Sequence, residues 1–214
     1  MATLTIQQLI SKMIKEKAID ERIQWRWSWG NHEECRRLFA HIFQSVDGTM
    51  SRYQHLPEYE KIIDWMTDTS DKGLLLIGDC GRGKSIILNY VLPVLFRMKN
   101  KGMRPVHAQD FYKAHPYQQN YGYYQRPEVF LDLLERSAFP AIDELGVEGQ
   151  LNDYGEKCEG FNLILNAAER YHRPVFVSTN LTEEQILNRY GERTLDRLMH
   201  LCRTIHFKGD SLRR

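Results

Sequence analysis

Apolar residues recur along the chain at two spacings. Near the start, Ile6, Leu9, Ile10, Met13 and Ile14 fall at i, i+3, i+4, i+7 and i+8, which predicts one amphipathic helix over residues 5–19. Thr5, with Gln8 three residues on, supplies a capping box for it. A second helix over about 32–44 carries Cys35, Leu38, Phe39, Ile42 and Phe43 on one face. A third, over about 56–67, turns Tyr59, Ile62, Ile63 and Met66 inward. Val46-Asp-Gly48-Thr reads as a linker between these two. Between the first two helices, Trp25, Trp27 and Trp29 alternate with polar residues. If that stretch is extended, all three indoles share a face, either to pack the N-terminal helices onto a core or to anchor a partner.

From residue 73 the period changes. Gly73-Leu-Leu-Leu-Ile-Gly78 is wholly apolar and bounded by glycine, as suits a strand buried on both faces. A helix follows from Lys84 to about Asn100, then a strand near Pro105–Ala108, a helix near Glu128–Arg136 and a strand over Phe139–Asp143. A helix near Glu156–His172, a strand over Pro174–Thr179, a helix capped by Thr182 with Gln185, and a strand near Thr204–Phe207 complete the alternation. This order predicts an α/β fold, a parallel sheet covered by helices on both faces. The expected division is a helical N-terminal extension over 1–48 and the α/β core over 49–214.

Composition narrows the classes. A chain of 214 residues with 42% apolar and 27% charged residues can bury a core and is not disordered. A formal net charge of +1 excludes a strongly basic coat protein and an acidic tail, while leaving room for a local basic patch. The cysteines, Cys35, Cys80, Cys158 and Cys202, form no C-x-x-C pair, which argues against structural zinc and fits a reducing compartment. Lys and Glu interrupt the first twenty residues, so no signal peptide or membrane span is expected there. The expectation is a soluble, cytoplasmic protein.

Three motifs carry chemistry. Gly78-Asp79-Cys80-Gly81-Arg82-Gly83-Lys84-Ser85 matches the phosphate-binding loop G-x-x-x-x-G-K-[ST], with an apolar strand before it and a helix after it. Its backbone N–H groups and the N-terminus of the helix that continues through Ile86 would cradle the phosphates of ATP. Lys84 would reach the β- and γ-phosphates, and Ser85 would ligate Mg²⁺. The second motif is the strand ending in Asp143-Glu144. Asp143 would hold Mg²⁺ through water, and Glu144 would orient and deprotonate the attacking water. A phosphoryl-transferring kinase has no need of that base; a hydrolase does. The third is Ser178-Thr179-Asn180 at the end of an apolar strand, which brings Asn180 to the crevice where it could polarise water or touch the γ-phosphate.

With these motifs in hand, the chain resembles the AAA+ ATPases. Ala141-Ile-Asp-Glu-Leu-Gly146, Ser178-Thr-Asn180-Leu, Gly191-Glu-Arg193-Thr-Leu-Asp196-Arg197-Leu198 and Phe207-Lys-Gly-Asp210-Ser211-Leu-Arg213 resemble the DnaC/IstB group in particular, over about residues 50–213. That group holds DnaC-type replicative helicase loaders and IstB-like transposition ATPases. The resemblance implies a P-loop AAA+ fold and an ATPase that is weak without DNA or partner. It implies an arginine finger reaching a neighbouring subunit's ATP, with Arg197 first and Arg193 second. It also implies a second sensor at Arg213. Little or no C-terminal helical lid is expected. The implied partners are a hexameric replicative helicase, or instead a transposase, together with single-stranded DNA and further copies of the chain. Tyr112, Tyr117, Tyr121, Tyr123 and Tyr124, interleaved with Lys113 and Arg126, have the chemistry for stacking on single-stranded DNA with modest, salt-dependent affinity; a plain surface loop is the other reading. The helix over 5–19 could dock a partner or tether the chain. A non-hydrolysing ATP-gated module and a small-molecule kinase stand further back.

Overall fold

The computed structural model describes residues 5–19, 24–46, 53–110, 139–148, 151–153, 156–158 and 160–212. Five strands form one parallel sheet: β1 (Gly73–Gly78), β2 (Val106–His107), β3 (Ala141–Leu145), β6 (Phe176–Thr179) and β7 (Cys202–Phe207). Their order is β2-β3-β6-β1-β7, so β6 lies between the strand that leads into the phosphate loop and the strand that ends in Asp143-Glu144. β1 is flanked on both sides, by β6 (Leu74 opposite Phe176, Ile77 opposite Thr179) and by β7 (Gly73 opposite Cys202, Gly78 opposite Phe207). Its unbroken apolar sequence follows from that central position.

The pleat of β1 divides the molecule. Leu74 and Leu76 point into a core built with α2 (His32–Val46), α3 (Pro57–Thr67) and the helix after the phosphate loop. Leu75 and Ile77 point into a second core with α6 (Gly160–Arg170), α7 (Glu183–Tyr190) and α8 (Glu192–Leu201). Cys35, Phe39, Ile42 and Phe43 of α2 are buried in the first core, as their spacing predicts. The sheet is thus covered on both faces.

The helix after the phosphate loop departs from the uninterrupted rod expected. It runs as α4 (Lys84–Ile86), a π-helical segment Ile87–Val91 and α5 (Leu92–Met98). Pro93 explains the break. It has no N–H to give and its ring crowds the preceding turn. The helix widens just before it, with Leu92 N–H donating to Ile87 O.

The Trp25/Trp27/Trp29 segment is extended and packs inward. Trp27 N–H donates to Thr69 Oγ1 at 2.9 Å and Trp29 N–H to Met66 O at 3.0 Å. The Trp25 ring lies 5.1 Å from Phe139 and the Trp27 ring 5.3 Å from Phe96, both edge to face. Lys99 and Lys101 lie over Trp29 and Trp25. Of the two readings left open by the sequence, core packing is the one observed.

Helix α1 (Ile6–Lys15) starts at the expected capping box, with Thr5 accepting from Gln8 N–H, but none of its residues is buried. Ile6 is 77% exposed. The helix expected near Glu156–His172 is a correction. Its first turn is instead strand β5 (Glu156–Cys158), paired antiparallel with β4 (Leu151–Asp153), and α6 begins only at Gly160. Two residues, Tyr154 and Gly155, separate the strands in the sequence, the length of a short hairpin connection, and glycines at 155 and 160 bracket the second strand. The helix expected near 128–136 lies outside the described residues.

Candidate functional site

The phosphate loop joins β1 to α4, and the ends of β3 and β6 face it. Lys84 is buried, and its Nζ donates to Gly78 O at 2.7 Å, to Asp79 O at 2.6 Å and to Asn180 Oδ1 at 2.9 Å. Burial lowers its pKa, against the pull of Cys80, Asp79, Asp143 and Glu144. Cys80 and Ile86 line the same cavity as Lys84, Ser85, Glu144 and Asn180.

Asp143 is buried and fully engaged. Its Oδ1 accepts from Ser85 Oγ at 3.0 Å and from Ser178 Oγ, and its Oδ2 accepts from Asn89 Nδ2 at 2.6 Å. Glu144 sits at a register shift between β3 and β6, with φ of 58°, a left-handed value that residues with a β-carbon resist. Its N–H donates to Ser178 Oγ at 3.0 Å, and its Oε2 lies 3.0 Å from His107 Nε2. The irregularity turns two successive acids to different tasks: Asp143 to Ser85, Glu144 to His107. Ser178-Thr179-Asn180 likewise divides three ways, since Ser178 serves the two acids, Thr179 Oγ1 donates to Leu145 O at 2.6 Å, and Asn180 holds Lys84.

Two loop side chains turn away from the cavity. The Arg82 guanidinium pairs with buried Glu58 at 2.6 Å and donates to Asp210 O at 3.3 Å. Asp79 Oδ2 accepts from Gly209 N–H at 2.9 Å. The segment after β7 therefore lies along the phosphate loop, and Leu212 N–H closes it by donating to Gly81 O at 3.0 Å. Arg82 and Asp79 can meet a phosphate only through their backbone.

The two candidate finger arginines differ in their surroundings. Arg197 Nε lies 2.6 Å from Glu169 Oε2, and its NH1 donates to Asn166 Oδ1, so α8 is tied to α6. Arg193 is exposed and makes no hydrogen bond or ion pair among the described residues. Arg213 and the tyrosine-rich segment lie outside the described residues. His107, Asn89, Ser178 and Glu58 are the site-shaping residues the sequence reading missed. Only Ser178 carried a signal, as a member of the third motif, where it was given no task of its own.

Among the described residues no helix is long and apolar enough to cross a membrane. No protein-family profile matches the chain. The architecture is the AAA+ P-loop fold. Its solved neighbours include DnaI (TM-score 0.57, 17% identity, 85% of this chain and 96% of that one) and the DnaC helicase loader (TM-score 0.58, 15% identity, 78% and 98%). AMPPCP-bound DnaA from Aquifex aeolicus shares the fold more partially (TM-score 0.54, 12% identity, 74% and 49%). The chain is 25% identical over 168 residues to the uncharacterized protein YqaM of Bacillus subtilis, with 75% of this chain aligned, and it spans about half the length of that relative.

Proposed function

We propose that the protein is an ATP-hydrolysing AAA+ protein that loads or remodels a replicative DNA helicase on single-stranded DNA. The observation that carries the ATPase reading is the convergence of Lys84, Ser85, Asp143, Glu144 and Asn180 at one end of the sheet. Lys84 exchanges its carbonyl partners for β- and γ-phosphate oxygens, which releases Asn180 to hold the γ-phosphate or the attacking water. The hydroxyl of Ser85 and the carboxylate of Asp143 are a hard oxygen donor set that fits Mg²⁺. Bound there, the ion would draw charge from the phosphate oxygens. Glu144 takes the proton of the water at Oε2, the oxygen that His107 steadies. An arginine from a neighbouring subunit completes the charge balance, and Arg213 is the proposed second sensor.

The loader role is supported by likeness in fold to DnaI and DnaC and by the exposed apolar stripe of α1, which suits a groove on a partner. Residues 1–48 are the proposed docking region, and the tyrosine-rich segment is the proposed contact with single-stranded DNA. In this reading the protein is cytoplasmic, assembles on ATP or DNA, and turns over slowly alone.

The test uses E144Q, which should lose about 10²–10⁴-fold in turnover while keeping ATP. Held on ATP, it should capture a hexameric helicase from host extract. Recovery of a transposase without helicase would move the protein to the transposition branch. A phosphorylated small-molecule product would make it a kinase.

A further inference from the structure

One buried carboxylate close to the site has no part in the steps above. Glu148 is 4% exposed. Its Oε2 accepts from Gly146 N–H at 2.7 Å, and its Oε1 accepts from the Tyr190 hydroxyl. Arg189 completes the latch, donating through NH1 to Gly146 O and through NH2 to Glu148 O. Its guanidinium also lies 3.5 Å from Glu148 Oε1. Residues 144–148 are thereby folded into a turn, which Val147 N–H closes onto Glu144 O at 3.3 Å, and the turn is fastened to the last residues of α7.

The latch answers a physical need. Glu144 is held at φ of 58° in a left-handed conformation, and such a backbone persists only where its surroundings leave it no alternative. From β6, Ser178 holds Asp143 and the Glu144 N–H, and Thr179 holds Leu145 O. On the other flank, the groups that hold the turn are those gathered on Glu148. We propose that Glu148 is a positioning residue for Glu144: through Gly146, Arg189 and Tyr190 it keeps the turn closed and so aims the base at its water. The inference rests on Glu144 being the base of the proposed hydrolysis. The latch also makes α7, which leads through Gly191 into the helix carrying Arg193, part of the same support.

The test measures ATP turnover and, separately, equilibrium binding of ATP for wild type, E144Q, E148Q, Y190F and the E144Q/E148Q pair. E148Q should lose about tenfold or more in kcat, since small displacements of a reacting group are costly, while its Kd for ATP stays within about twofold. Y190F, which removes a single hydroxyl and keeps the ring against Phe161, should show the same split at about threefold. In the E144Q background the E148Q effect should vanish, because a group that acts by aiming Glu144 has nothing left to aim. If E148Q does not fold, Y190F alone and in the E144Q background decides the matter. A kcat within about twofold of wild type for the latch variants, while E144Q shows its loss of about 10²–10⁴-fold, overturns the inference. So does a loss of ATP binding in step with turnover, or losses that multiply in the paired variant. Wild type without turnover in the presence of DNA and partner overturns the hydrolytic reading itself.

Discussion

Ser178 sets the two acids of the site with one oxygen. It donates to Asp143 Oδ1 and accepts from Glu144 N–H, and it is buried. S178A leaves a buried carboxylate short of a donor and a strained N–H short of an acceptor. It should cost about 1–3 kcal/mol, read from the denaturant midpoint, and should lower ATP turnover as well. Lys84, Ser85, Asp143 and Glu144 were legible in the sequence because a local spacing places them. The work of Ser178, Asn89 and His107 was not, because it depends on the register of β3 against its neighbours, which a linear pattern does not contain. Nor was the direction of Arg82: the motif fixes its backbone, whereas its side chain follows a glutamate 24 positions upstream.

Among the elements, the tryptophan strap shows how far periodicity reaches. Alternation foretold a common face for the indoles but not what that face would meet. It meets Phe96 and Phe139, together with Trp65 from α3. W27A should therefore destabilise the fold by about 1–3 kcal/mol in urea unfolding, since the ring is half-buried. Partner capture by the folded fraction should be unchanged, because the ring faces the protein. The helices were legible where an apolar stripe and a cap coincide, as at Thr5 and Thr182. The hairpin at 151–158 was not, since three-residue strands are shorter than the window that separates a period of 2 from one of 3.6. The π-helical segment was readable only through Pro93.

For the molecule as a whole, two cores on opposite faces of one sheet leave the strand ends as a crevice, and both candidate fingers lie on α8, beside the second core. Arg197 is already occupied within its own subunit, whereas Arg193 is exposed. This favours Arg193 as the group offered to a neighbour. Turnover per subunit should rise with protein concentration, and R193A should flatten that rise without loss of stability. R197A should instead loosen α8 from α6, by no more than about 1 kcal/mol in denaturant unfolding. Parallel order and two-faced cover were legible from the alternation of strands and helices. The insertion of β6 between β1 and β3 was not, because spatial order is set by crossovers rather than by sequence order.

The segment lying along the phosphate loop has a consequence for how this sequence can drift. Gly81 has φ of 73°, and a β-carbon there would fall 2.0 Å from Ser211 Oγ. Position 81 thus answers to a neighbour 130 residues downstream as well as to its own backbone. Position 211 in turn is confined to small side chains by a loop whose first duty is to something else. Changes tolerated at positions 81 and 211 should therefore appear as matched pairs across descendants, a history written jointly by two places far apart in the chain.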